Sequence, residues 1–373
     1  MWGNYPMRNA PKRGIIIVQV NADPCQVETC QIDDRPIEGK VESQMLPVKL
    51  AGLGWYLPPR RVTNAELEER LDIPADWIER VTGVCERRYV TGETVVAMGV
   101  AASYMALEAA GLDVSDLDAI ICASTSPQQA IPCTAAFLQR ELHAPEGASA
   151  CFDINATCLG FLFALQTVAH LVASGAYSTV LICCSEIVSP SLNPRERESV
   201  ALFGDAAAAC VVTRSAPGEA SAFWHAHFET YSSGADLTEI RGGGTLHHPN
   251  DPETTPEMNM FHMNGPTVFR QASMLGEPVM ERFITELGWE RSRFDALVPH
   301  QASRHAIEQF TRRLGFSKEQ MIVNLPHRGN CVSASIPLAL AEAVHCGRIQ
   351  RGDHVLLAGT GAGLTLGALA ITY

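Results

Sequence analysis

The strongest constraint on the fold is that the chain repeats itself. Gly111-Leu112-Asp113-Val114-Ser115-Asp116-Leu117-Asp118-Ala119-Ile120-Ile121 is echoed by Gly288-Trp289-Glu290-Arg291-Ser292-Arg293-Phe294-Asp295-Ala296-Leu297-Val298. In both, a helix ends at glycine, a polar turn follows, and a short apolar run supplies a buried strand. Farther on, Cys158 to Gly175 aligns without gaps on Asn330 to Gly347. Each stretch is a small-residue start, a mostly apolar helix and a glycine, followed by Val180-Leu181-Ile182 or Val355-Leu356-Leu357-Ala358. Two similarities in the same order at nearly the same offset indicate duplication of one α/β unit. Strands too apolar to face water, alternating with helices, predict parallel sheets covered by helices. Two such units make a layered sandwich with two sheets. The segment from Leu159 to Val172, apolar nearly all round, is then a helix buried between them.

The duplication also divides the chain. Residues 1–46 mix Asn, Asp and Pro with one short β-like run and read as an N-terminal extension, with Met45 an alternative start. Residues 47–216 form the first half and 217–373 the second, with the seam at Pro217-Gly218-Glu219. Arg8, Lys12 and Arg13 precede Ile15-Ile16-Ile17-Val18, but that apolar run is too short for a secretory signal and lacks a small-residue cleavage site. Gln166 and His170 interrupt the most apolar segment, so no membrane span is expected, and the chain reads as cytoplasmic.

Charge and cysteine narrow the function. Lys+Arg 28 against Asp+Glu 41 gives a net −13 with no compact basic stretch, which argues against nucleic acid or anionic lipid as a partner. In a reducing compartment the 12 cysteines are not expected to pair. No C-x-x-C occurs, and His225-x-His227 and His247-His248 have no Cys or acidic partner at ligand spacing, so no metal site is expected. Most of the cysteines read as small buried hydrophobes. Gly361-Ala362-Gly363-Leu364-Thr365-Leu366-Gly367 misses the G-x-G-x-x-G pattern of a dinucleotide site.

Cys158 stands apart. The gap-free repeat pairs it with Asn330, each at the N-terminus of a buried helix, where unpaired N–H groups and the dipole are expected to lower a thiol pKa. His300 ends the strand Ala296-Leu297-Val298-Pro299, where an α/β sheet presents catalytic side chains. A cysteine, a histidine and an asparagine at these positions point to nucleophilic catalysis through the thiol.

These residues carry a resemblance. Asp153-Ile154-Asn155-Ala156-Thr157-Cys158-Leu159-Gly160-Phe161, His300-Gln301-Ala302-Ser303 and Gly329-Asn330-Cys331-Val332-Ser333-Ala334-Ser335 resemble the three active-site motifs of the β-ketoacyl-ACP synthase III family. These are thiolase-fold condensing enzymes that start fatty-acid synthesis. The likeness is collinear from Val48 to Tyr373, with landmarks at Pro58, Thr63-Asn64, Asp76-Trp77-Ile78, Thr82-Gly83, Phe203-Gly204-Asp205 and Gly361-Ala362-Gly363.

The resemblance implies a thiolase-like five-layer αβαβα sandwich of two duplicated halves, and a ping-pong reaction. Cys158 takes an acyl group from acyl-CoA, with the N–H groups of Cys158 and Ala362 as oxyanion hole. Malonyl-acyl carrier protein then loses CO₂, and His300 and Asn330 donate hydrogen bonds to the enolate. No cofactor is implied. Trp77 and Arg197 stand where the family sandwiches the CoA adenine, although Val81 replaces an arginine that meets CoA phosphate. His305 likewise replaces an arginine near the carrier-protein surface, leaving Arg304, Arg312 and Arg313, with Lys318, as the basic docking candidates. Phe203 lines the acyl pocket. Ile131, lent by the second subunit of a homodimer, replaces the phenylalanine of acetyl-specific members, which implies longer or branched acyl groups. Alternatives remain a specialised condensing enzyme or acyltransferase of secondary metabolism, and a cysteine hydrolase. Thiolase itself lacks support, because Gly359-Thr360-Gly361-Ala362-Gly363 offers no second cysteine.

Overall fold

The computed structural model describes residues 45–373, so the N-terminal extension expected over 1–46 lies, apart from Met45 and Leu46, outside the described residues. One sheet is built from β1 (Val48–Tyr56), β2 (Ala119–Cys122), β3 (Ala150–Asp153), β4 (Thr179–Glu186) and β5 (Ala206–Arg214), in the order β1-β5-β4-β2-β3. A second contains β6 (Ala222–Thr230), β7 (Ala296–Pro299), β8 (His354–Gly361) and β9 (Thr365–Thr372), in the order β6-β9-β8-β7. Met321 bridges Leu297 in parallel on the far side of β7, where β3 stands in the first sheet. The helices are α1 (Val95–Ala110), α2 (Thr134–Glu141), α3 (Gly160–Ala173), α4 (Gly265–Leu287), α5 (Arg304–Leu314) and α6 (Ser335–His345).

The two sheets have the same plan. In each, the first strand pairs antiparallel with the last, the last pairs antiparallel with the strand that precedes it in the chain, and that strand pairs parallel with the second. The sheets are therefore mixed, not parallel as the apolar strands suggest. An apolar run reports burial on both faces of a strand, but not its direction. The β8–β9 hairpin, closed by Ala362 to Leu364, forces one reversal that composition does not show.

Five layers follow from which faces are apolar. Along β4, Val180, Ile182 and Cys184 pack inward with α3 and α6, while Leu181 and Cys183 pack outward against α1 and α2. Phe161, Leu165 and Val168 of α3 and Ile336, Leu338 and Leu340 of α6 fill the middle layer, and all are fully buried. Each such side chain contributes about 1.5–3 kcal/mol by leaving water. Met280, Phe283 and Leu287 of α4 and Ile307 and Leu314 of α5 cover the outer face of the second sheet.

Local chemistry sets the helix ends. The Thr94 hydroxyl accepts from the Ala97 N–H at 3.1 Å and starts α1. Gly111 and Gly288, at φ 66° and 72°, end α1 and α4 in the left-handed conformation that glycine adopts without cost. Each is followed by a single 3₁₀ turn, Val114–Asp116 or Arg291–Arg293, and then by β2 or β7. The Asp153 carboxylate at the end of β3 accepts from the Thr134 and Ala135 N–H groups at 2.7 and 2.9 Å and caps α2. All ten cysteines among the described residues are free thiols, with Cys122, Cys183, Cys184, Cys210 and Cys331 buried in the core. No helix among the described residues is long and apolar enough to cross a membrane.

Candidate active site

The site forms where the two halves repeat one turn. The Asn155 side-chain oxygen accepts from the Thr157 N–H at 3.0 Å, and the Asn330 oxygen accepts from the Val332 N–H at 2.9 Å. Thr157 and Val332 both have φ 50°, uncommon for residues with a β-branched side chain. Each opens a 3₁₀ turn, Thr157–Leu159 or Val332–Ala334, that runs into α3 or α6.

The geometry corrects the gap-free alignment. Asn330 corresponds to Asn155, and Cys158 corresponds to Ser333. The helix α3 has 14 residues and α6 has 11, so three residues lost within α6 bring Gly175 and Gly347 back into step. Sequence alignment without gaps follows the helix ends and slips by three at the helix starts, where Cys158 and Asn330 lie.

Cys158 sits within the 3₁₀ turn, half-buried, with its exposed side toward a cavity of about 800 Å³. The expected fall in its pKa is not found. Burial pushes the thiol up to about 12, the Glu186 carboxylate adds to the rise, and the N–H groups of Cys158 and Ala362 oppose it. Removing a thiolate from water costs more here than two backbone donors and the start of a helix return. Both N–H groups nevertheless converge on the sulfur, and the absence of side chains keeps the approach open. A Cβ on Gly361 would stand 2.9 Å from the Thr157 hydroxyl, in the same turn as Cys158.

His300 follows β7 and is held by its backbone N–H to the Ala358 carbonyl at 2.8 Å. Burial pushes its pKa down to about 4, so the ring is neutral near pH 7, and among the described residues its Nδ1 has no partner. Gly359 makes room for it, since a Cβ there would lie 2.6 Å from His300 Cβ. Gln301 braces the following loop, donating to the Pro299 and Ile322 carbonyls and accepting from the Asn324 and Leu325 N–H groups. Ser303 caps α5 through the Ala306 N–H at 3.2 Å, a task for which serine serves as well as the asparagine of the family motif.

Asn330 is anchored by its backbone to Leu202 and Gly204, at 2.9 and 3.0 Å, beside Phe203. With its side-chain oxygen engaged by Val332, and by Ser335 at 3.4 Å, its amide N–H₂ is left to donate into the cavity. Cys158, His300, Asn330, Phe203 and Ala362 all line that one cavity.

The remaining candidates are distributed differently. The short helices Trp77–Thr82 and Arg197–Leu202 pack on each other near the cavity mouth, but Val81, Thr82 and Glu198 line it, not Trp77 or Arg197. Ile131 is 82% exposed and does not line this chain's own cavity. Arg304 donates to the Glu79 carbonyl at 3.0 Å and so braces the Trp77–Thr82 helix. Arg313 donates to the Ser273 carbonyl at 2.6 Å, and Arg312 is exposed on the same helix.

Sequence reasoning missed Glu186. Fully buried at the end of β4, it accepts from the Thr125 and Ser126 N–H groups at 2.7 and 3.0 Å, from the Ser126 hydroxyl at 2.7 Å, and from the Ser333 hydroxyl. It therefore joins the first half to the helix start of the second, directly behind Cys158. Its only sequence signal is an acidic residue closing the otherwise uncharged strand Thr179–Glu186.

Known proteins match this architecture closely. The sequence profile of 3-oxoacyl-[acyl-carrier-protein (ACP)] synthase III matches residues 152–232, and that of its C-terminal part matches residues 284–373. The chain is 35% identical over 337 residues to the β-ketoacyl-[acyl-carrier-protein] synthase III of Symbiobacterium thermophilum, covering 88% of this chain and 98% of that one. The crystal structure of 3-oxoacyl-[acyl-carrier-protein] synthase III from Aquifex aeolicus superposes with a TM-score of 0.79 at 34% identity, covering 87% of this chain and all of that one. The priming β-ketosynthase of the R1128 polyketide biosynthetic pathway gives a TM-score of 0.81 at 30% identity, over 88% of this chain and 96% of that one. With its two duplicated halves in a thiolase-like five-layer sandwich, the chain belongs to the 3-oxoacyl-[acyl-carrier-protein] synthase III family of acyl-transferring condensing enzymes.

Proposed function

We propose that the chain condenses an acyl group from acyl-CoA with malonyl-acyl carrier protein, with Cys158, His300 and Asn330 as its catalytic residues. Cys158 Sγ attacks the thioester carbonyl. Its proton leaves with the CoA thiol, and the N–H groups of Cys158 and Ala362 hold the oxyanion, each worth about 3 kcal/mol in the transition state. Malonyl-acyl carrier protein then enters and loses CO₂, while His300 and the Asn330 amide donate to the thioester oxygen of the enolate. The enolate carbon attacks the acyl carbonyl, a C–C bond forms, the C–S bond to Cys158 breaks, and the released thiolate takes a proton from water to restore the thiol. No resident cofactor takes part.

One observation carries this reading: two uncharged donors face the same cavity as the thiol. A neutral His300 and an Asn330 whose oxygen is already engaged can donate to an enolate without attracting the malonyl carboxylate that must leave as CO₂. Cys158→Ala tests it. The variant is expected to keep decarboxylating malonyl-acyl carrier protein and to form no acyl-enzyme by intact mass. An acyl adduct on that variant, or free acid as the sole product of the native enzyme, would overturn the assignment and favour a hydrolase.

Other assignments rest on the same family reading. Trp77 and Arg197 grip CoA at the mouth, and Arg304, Arg312 and Arg313 form the landing surface for an acidic carrier protein. Phe203 bounds the acyl pocket. Ile131 enters the cavity of the partner in a homodimer, a role supported by its exposure beside β3, an edge strand with one side unpaired. The halves are taken as 47–216 and 217–373, a seam supported by the turn between Arg214, which ends β5, and Ala222, which starts β6. A second reading, a priming enzyme of secondary metabolism, is favoured by the likeness to the R1128 ketosynthase and by Val81 at the cavity mouth.

A further inference from the structure

We propose that His225, His227 and Glu286 form a binding site for one divalent ion of the zinc class, on the outer face of the second sheet. None of the three lines the cavity that holds Cys158. His225 and His227 alternate along β6 and so project from one face of the strand. The helix α4 packs on that face, and its last turn supplies Glu286. His225 Nε2 and His227 Nδ1 lie 2.9 and 2.7 Å from the same oxygen, Glu286 Oε2. The ligand atoms of all three residues fall within 4.8 Å of one another. Bonds of about 2.0–2.1 Å in a tetrahedron hold donor atoms about 3.3 Å apart, so each nitrogen–oxygen pair needs to open by only about half an ångström to admit the ion.

The surroundings orient these donors as a metal site requires. His227 Nε2 faces Glu229 Oε1 at 2.8 Å, which fixes the ring and keeps Nδ1 facing Glu286, where an ion would take the place of the hydrogen between them. Glu229 is itself held by Arg282 at 2.5 and 2.8 Å and by the Tyr231 hydroxyl, so it is ionised and fixed. Phe283 stacks on His225 with ring centroids 5.6 Å apart and sets that ring too. Glu286 sits at the C-terminal end of a 23-residue helix, where a cation is favoured by the dipole. Two imidazoles and one carboxylate suit Zn²⁺ and its neighbours, not Mg²⁺ or Ca²⁺, and leave a fourth position for water. The bound ion would clamp the edge strand β6 to α4. The spacing argument against a metal does not reach this group, because the acidic partner comes from an element 59 residues away.

Titration of the chelator-treated full-length enzyme with Zn²⁺ and Co²⁺ tests this. The expected result is one equivalent bound, a rise in Tm, and Co²⁺ d–d absorption without the charge-transfer bands of thiolate ligation. The double variant H225A/H227A should lose binding, and Glu229→Gln should weaken it about 10–100-fold, with each variant's ion-free Tm serving as a check on folding. Absence of binding by the native enzyme would overturn the proposal. So would undiminished binding by the folded double variant, or thiolate bands in the Co²⁺ complex.

Discussion

At the scale of the residue, the proposed nucleophile rests as a thiol. Cys158 feels two N–H donors that favour its anion and two larger influences, burial and Glu186, that oppose it. With a pKa near 12 the thiolate fraction grows tenfold per pH unit across the working range. Alkylation of the Cys158 peptide by iodoacetamide, followed by mass spectrometry, should therefore rise about tenfold per unit from pH 6 to pH 9. A plateau below pH 8 would mean a preformed thiolate and would contradict this account. His300 behaves oppositely in sign, because its depressed pKa keeps it uncharged until about pH 4. Its contribution to stability is complete above the unfolded value of 6.5 and is lost as the pH falls through 4. Cys158, His300 and Asn330 are all legible in the sequence, since each stands in a short motif at the edge of an apolar element. Glu186 is not, because its four donors come from Thr125, Ser126 and Ser333, residues that only the fold assembles.

At the scale of the element, close packing is set by absent side chains. Gly54 of β1 lies under α1, where a Cβ would stand 2.3 Å from the Ala102 carbonyl oxygen and 2.5 Å from the Ala106 nitrogen. These are backbone atoms of a helix and cannot swing aside. Gly54→Ala is expected to destabilise the protein by about 1–3 kcal/mol through overpacking, read as a lower urea midpoint at unchanged m-value. Gly92→Ala, with open space around its Cβ, should leave the midpoint nearly unchanged. The repeated helix–turn–strand units are the part of the fold that sequence shows best, because the glycine that ends each helix and the buried strand after it are both local signals. The slip of three residues between α3 and α6 is hidden for the converse reason. Two apolar helices of different length align equally well from either end, and the paired asparagine turns at Asn155 and Asn330 show how the helix starts correspond.

At the scale of the whole molecule, an acidic chain with Ile131 among its exposed large apolar residues has to complete its site. The net charge of −13 disfavours an acidic carrier protein unless basic groups gather locally. Arg304 and Arg313 each spend a donor on a backbone carbonyl, so both stand at fixed positions, and Arg304 also lies 3.8 Å from the Glu79 carboxylate. Ile131 poses the sharper problem, since burying a side chain now 82% exposed requires a second molecule. If each subunit lends Ile131 to the other's cavity, specificity and catalysis can be separated on different chains. A heterodimer of one chain carrying Cys158→Ala and Ile131→Phe with one native chain leaves a single working thiol, facing the phenylalanine of its partner. Competition among acyl-CoAs, read by mass spectrometry of the acylated chain, should then shift toward acetyl. The reciprocal heterodimer, with Ile131→Phe on the chain that retains Cys158, should keep the acyl preference of the native enzyme. The opposite assignment of the two outcomes would place Ile131 over its own cavity, and equal preference in both would remove it from the acyl site.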